Sequence, residues 1–92
     1  MVLSKAFEKS YKKFANNNQS LKSAILKTVS KMELDVYHPS LRTHKLSGKL
    51  AAYLACSCGY DCRIIFTIET DLTDINKEVI LLLDVGTHND VY

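Results

Sequence analysis

Ser57-Cys58-Gly59-Tyr60-Asp61-Cys62-Arg63-Ile64-Ile65-Phe66 is the stretch on which the fold turns. Its centre, Cys58-Gly59-Tyr60-Asp61, is short and carries the glycine and aspartate that tight hairpin turns use. The residues after it are aliphatic, β-branched or aromatic. The stretch therefore predicts two antiparallel strands joined by a turn. Outward from it, Leu46 to Ser57 reads as the first strand and Cys62 to Thr70 as the second. Glu78 to Val85 reads as a third, reached through the polar connection Asp71 to Lys77.

Upstream of the lone Pro39 the hydrophobic period changes. Leu3, Phe7, Tyr11 and Phe14 recur at helical spacing, with Lys5, Lys9, Lys12 and Lys13 facing away, which predicts a basic amphipathic helix from Ser4 to Ala15. Asn16-Asn17-Asn18 ends it. A second helix over Gln19 to Met32 puts Leu21, Ala24, Ile25, Val29 and Met32 on one stripe. A helical hairpin followed by a strand meander predicts an α+β fold, with both helices packed on one face of a small, mainly antiparallel sheet. Phe7, Ile25, Ile64, Phe66 and Leu82 are the expected core.

With 92 residues and 47% hydrophobic content, the chain is expected to form a single domain over residues 1–92 around one core. A site on so small a body is expected to be shallow, which suits a macromolecular partner better than an engulfed small molecule. The net charge of +2 hides an asymmetry. Residues 1–50 hold ten Lys/Arg against three Asp/Glu, and residues 51–92 hold two against seven, giving halves of +7 and −5. A basic half attracts phosphate backbones without base specificity, and solvated helix faces would give the same count.

Cys56, Cys58 and Cys62 are crowded together, odd in number and without an apolar leader, so no secreted disulfide framework is expected and a reducing cytoplasm fits. Cys56 and Cys62 read as small apolar side chains in adjoining strands, with Cys58 in the turn. Zinc bound through the three would need a fourth ligand, such as His44 or His88, and the spacing departs from common structural sites. No metal or cofactor is expected. No apolar run is long enough to span a bilayer, so no membrane partner is expected, and the isolated Gly48, Gly59 and Gly86 form no phosphate-cradling loop.

Polar residues gather at the strand margins: Arg42-Thr43-His44-Lys45, then Asp61 and Arg63, then Thr87-His88-Asn89-Asp90-Val91-Tyr92. If antiparallel pairing brings these margins together, they hold what in-line RNA cleavage needs. Those parts are a base for the 2′-hydroxyl, a cation for the phosphorane and an acid for the leaving oxygen. A terminal tyrosine could stack on a base. Each signal also has a plainer reading. A lone histidine is commonly a surface or core residue, Arg63 could pair with Asp61, and Lys45 and Lys49 could be solubilising charges.

Three segments in their order and spacing resemble the toxins of RelE/ParE-type toxin–antitoxin modules, particularly the RelE/StbE and YafQ-like branch. They are Leu41-Arg42-Thr43-His44-Lys45-Leu46-Ser47-Gly48, Ser57 to Phe66, and Ile80-Leu81-Leu82-Leu83-Asp84-Val85-Gly86-Thr87-His88-Asn89-Asp90-Val91-Tyr92. The resemblance implies a microbial ribonuclease-like fold and metal-independent cleavage of mRNA on the ribosome, inhibiting translation, with a cognate antitoxin as silencing partner. It matches His88 to the catalytic histidine, Tyr92 to the terminal aromatic, and Asp61 to an acid–base carboxylate. It also matches His44 to a further active-site histidine and Arg63 to a transition-state arginine, leaving Lys45 and Lys49 as candidates for RNA phosphates. Two departures accompany it. Ser57 stands where YafQ-like members have another histidine, and only Met1-Val2-Leu3 precedes the first helix, so the first strand is expected to be short or missing. The same scaffold also serves gyrase inhibitors of the ParE type, and an inactive antitoxin-binding relative is a third possibility. The histidine-bearing margins favour cleavage, because a gyrase-binding surface needs no proton-exchanging groups.

Overall fold

In the computed structural model, which describes residues 1–87 and 91 and leaves the Lys49 side chain undescribed, a five-stranded sheet carries two helices on one face. The elements run β1 (Val2–Leu3), α1 (Lys5–Phe14), α2 (Gln19–Leu34), β2 (His44–Lys45), β3 (Leu54–Gly59), β4 (Cys62–Thr70) and β5 (Glu78–Gly86). The spatial order is β1-β5-β4-β3-β2, with β1 parallel to β5 and every other pair antiparallel. The expected α+β architecture is what is observed, and the first strand is short rather than missing.

Both helices start where the sequence supplies a cap. The Ser4 hydroxyl accepts from the Phe7 N–H at 3.0 Å, while the Ser4 N–H donates to the Leu82 carbonyl, so one residue ends β1 and begins α1 against β5. Asn18 caps α2 by accepting from the Leu21 N–H, after Asn17 takes a left-handed conformation that Asn tolerates. The apolar stripe of α1 lies against β5, and α2 lies against β3. All five expected core residues are buried, joined by Met32, Leu41, Cys56 and Val85.

The expected strand Leu46 to Ser57 is broken. It becomes β2 at His44–Lys45, a 3₁₀ turn at Gly48–Leu50, and β3 from Leu54. Gly48 turns the chain at φ +65°, and the Leu46 N–H closes the excursion onto the Tyr53 carbonyl. A continuous strand would have had to pair the exposed Ser47 and Gly48, which offer no apolar side chain to either face.

Cys58 is also displaced from its expected place. It is buried in β3, not in the turn, and it is disulfide-bonded to Cys62. Ser57 pairs Arg63 while Gly59 pairs Cys62, so Cys58 is the extra residue of a β-bulge. The bulge leaves the two Cα atoms 5.0 Å apart, inside the range a disulfide can bridge. Only Cys56 keeps the expected role of a free, buried, apolar thiol, set against the Met32 sulfur at 3.7 Å.

Candidate active site

Alternation along β3 and β4 divides their side chains between two faces. Leu54, Cys56, Cys58, Cys62, Ile64 and Phe66 belong to the core under the helices. Ala55, Ser57, Arg63 and Ile65 take the positions between them, on the opposite face. Cross-strand partners share a face, so the pairings His44↔Ala55↔Ile65 and Ser57↔Arg63↔Gly86 form two neighbouring rows there. His44, Ser57 and Arg63 therefore meet on one face, near the end where β5 finishes.

Arg63 is fixed in place. Its Nη1 donates to the Cys62 carbonyl at 2.8 Å, the Gly59 carbonyl at 3.2 Å and the Ser57 hydroxyl at 3.4 Å. These acceptors are neutral, so the guanidinium is positioned without having its charge cancelled by them, as stabilisation of a developing anion requires. Ser57 in turn is held by Gly59, donating to its carbonyl at 3.2 Å and accepting from its N–H at 3.4 Å. The departure at Ser57 thus acquires a structural role, orienting Arg63 across the bulge. Nothing in the spacing of the sequence announced it.

Asp61 lies in the turn ahead of β4, which begins at Cys62. Gly59 pairs Cys62, which leaves Tyr60 and Asp61 as a two-residue turn. Asp61 adopts φ +51°, a left-handed conformation that Asp accepts more readily than most residues. Even so, Asp61 and Arg63 line the same cavity, of about 730 Å³, together with Lys27, Lys31 and Arg42. The lysines of α2 were not singled out by motif. Their spacing of four, placing both on one helix face, was the available signal.

His44 is exposed, its Nδ1 2.9 Å from the Arg42 carbonyl, which orients the ring. Lys45 pairs with Leu54, a residue packed against the core, so it takes the helix side of β2, away from His44. Lys49 belongs to the 3₁₀ turn Gly48–Leu50, and its side chain lies outside the described residues. His88 and Tyr92 also lie outside the described residues. The described chain reaches Gly86, paired with Arg63, and Thr87 beyond it.

Thiol chemistry has no foothold here. Burial pushes the Cys56 thiol up to about 12, with the Arg63 charge opposing weakly, so the thiolate is absent near neutral pH. Cys58 and Cys62 are bonded to each other. Among the described residues no three His, Cys, Asp or Glu side chains gather into a group able to hold a metal ion, and no helix is long and apolar enough to cross a membrane.

Comparison with solved structures gives the same architecture across most of the chain. YafQ from E. coli superposes with a TM-score of 0.73 at 16% identity, covering 99% of this chain and 94% of that one. A YoeB/ParE toxin from Agrobacterium tumefaciens gives 0.74 at 10% identity, covering 95% and 96%. YoeB from Staphylococcus aureus, solved in complex with YefM, gives 0.69 at 18% identity, covering 95% and 93%. At such identities the likeness speaks for the fold. A search of curated protein sequences returned no match. The sequence family described as bacterial toxin of type II toxin–antitoxin system, YafQ, matches residues 1–92 from end to end. This chain belongs to the YafQ family of bacterial toxins of type II toxin–antitoxin systems.

Proposed function

We propose that this toxin, acting as a single domain, is a metal-independent endoribonuclease that cleaves mRNA on the ribosome and is silenced by a cognate antitoxin in the cytoplasm. The observation that carries the reading is Arg63, tethered through Nη1 to neutral acceptors on the sheet face that also bears His44, beside a cavity walled by Asp61 and three further cations. Family membership supports the same class of action.

In the proposed reaction the ribose 2′-hydroxyl gives its proton to Asp61 as its oxygen bonds to the adjacent phosphorus. Arg63 offsets the charge gathering on the non-bridging oxygens. The bond from phosphorus to the 5′-oxygen breaks, and His88 protonates that oxygen, leaving a 2′,3′-cyclic phosphate and a free 5′-hydroxyl. His44, on the face that bears Arg63, acts as a further active-site histidine; Lys45, on the other side of the edge strand β2, and Lys49 hold flanking RNA phosphates, and Tyr92 stacks on a base beside the scissile bond. The ribosome supplies the alignment of the mRNA, which a shallow site on a body this small does not provide alone.

The test is primer extension on a reporter mRNA after brief induction, comparing the protein with His88→Ala. New cuts that vanish in the variant are expected, since loss of a general acid costs roughly 10²–10⁴-fold. Growth arrest without cuts, accompanied by failed DNA supercoiling, would overturn the reading in favour of a gyrase inhibitor.

A further inference from the structure

The cavity beside Arg63 extends beyond what the cleavage step uses. α2 lines it with Lys27 and Lys31, four residues apart on one face, and the 3₁₀ turn Pro39–Leu41 and the Arg42 that follows line it as well. Among the described residues, four cations from three separate parts of the chain thus line about 730 Å³, with Asp61 as the one carboxylate.

Several features show that these charges are arranged. Lys31 Nζ donates to the Ser40 hydroxyl at 3.3 Å, tying α2 to the 3₁₀ turn, and His38 Nδ1 lies 2.8 Å from the same hydroxyl. Arg42 holds φ +54°, a left-handed conformation unfavourable for a side chain of its size, while its N–H donates to the Pro39 carbonyl. Of the three non-glycine residues with positive φ among the described residues, Arg42 and Asp61 both line this cavity. Like charges four apart on a helix repel, so the Lys27 and Lys31 pair weakens α2 unless an anion lies against them.

We propose that this cavity is a second phosphate subsite for the RNA strand, where Lys27, Lys31 and Arg42 hold a backbone phosphate neighbouring the one that Arg63 faces. The inference rests on the ribonuclease reading and deepens it. A phosphodiester fits because the cations come from separate parts of the chain, outnumber the single carboxylate described in the lining, and stand in the same cavity as Arg63. The subsite fixes the register of the strand and carries no base preference.

The experiment measures binding of a fluorescein-labelled, 2′-deoxy-substituted RNA oligonucleotide, which cannot be cleaved, by anisotropy over a salt series. Wild type is compared with a Lys27→Gln/Lys31→Gln double variant, with Arg42→Gln, and with Lys9→Gln/Lys12→Gln on the outer face of α1. All the substituted lysines are exposed, and circular dichroism checks that each variant keeps its fold. Each phosphate neutralised on a single strand contributes a slope of about −0.7 to log K against log salt, so the double variant, which gives up the one phosphate of the subsite, is expected to lose about 0.7 of slope. It is also expected to bind at least tenfold more weakly at low salt, while the α1 variant changes little.

An unchanged slope in the double variant, with a wild type that cuts mRNA, would overturn the subsite and leave the ribonuclease reading intact. A lost slope in a protein that makes no cuts would keep the subsite and remove the ribonuclease. If the double variant instead binds RNA normally but loses affinity for its antitoxin, the cavity serves an acidic protein segment and the proposal is wrong.

Discussion

Strand β4 is gripped by a turn at each end, and the two turns are built on opposite plans. At the β3 end the connection is two residues long, interrupted by the Cys58 bulge, and faces a cavity lined by cations. At the β5 end the connection Asp71 to Lys77 closes on itself. The Asp71 N–H donates to the Lys77 carbonyl at 2.9 Å, the Asp71 carboxylate accepts from the Thr73 N–H and hydroxyl, and Asp74 accepts from the Asn76 N–H. Leu72 and Ile75 project fully or nearly so into solvent there. The second turn satisfies its own polar groups. The first directs the Gly59 and Cys62 carbonyls to Arg63.

The largest effect expected is on the strand that both turns share. Phe66→Ala should destabilise the protein by roughly 3–5 kcal/mol, read as a lower urea midpoint, because the ring is fully buried between the two ends. A smaller shift would mean the core closes over the cavity. Next, Arg63→Ala should cut ribosome-dependent cleavage by about 10²–10³-fold with little change in the midpoint. Leu72→Ser with Ile75→Ser at the opposite turn should leave cleavage unchanged. Equal losses at both ends would erase the functional contrast.

Loss of the Cys58–Cys62 bond, which closes a loop with a sequence separation of four, should cost roughly 2 kcal/mol on the chain-entropy account. Unfolding with and without reductant measures it. Cys56 should resist iodoacetamide in the folded protein near pH 8 in either state, because burial keeps it a thiol. Rapid labelling of Cys56 before unfolding would contradict that.

The smallest effect belongs to the acidic turn. The Thr73 hydroxyl and N–H hold the Asp71 carboxyl below the usual range. Its contribution is therefore complete above the unfolded carboxylate pKa and is lost as pH falls through the lower folded value. An NMR titration should find the Asp71 midpoint below that of a free aspartate, and Thr73→Ala should raise it. No change on that substitution would show that the turn does not depend on its side chain.

Sequence periodicity was sufficient for the helical hairpin, the meander and the five core residues, because amphipathic period and burial are local consequences of side-chain chemistry. The segments that carry the family resemblance singled out Arg63 and His44, which the strand register puts on one sheet face, and Asp61, which lines a cavity with Arg63. Periodicity misread the run from Leu46 to Ser57, where apolar residues on both sides masked a glycine turn, and it put Cys58 in the turn because a bulge shifts register by one residue without changing composition.

The tertiary structure alone decided which charges meet. Lys27, Lys31 and Arg42 are far from Arg63 in sequence, and each alone reads as a solvated cation. Their convergence on one cavity depends on α2 packing against β3 beside the end of the β3–β4 hairpin. Local pattern encodes which face of an element is apolar. Which polar ends of different elements come together is set by packing, through contacts that no short stretch of sequence contains.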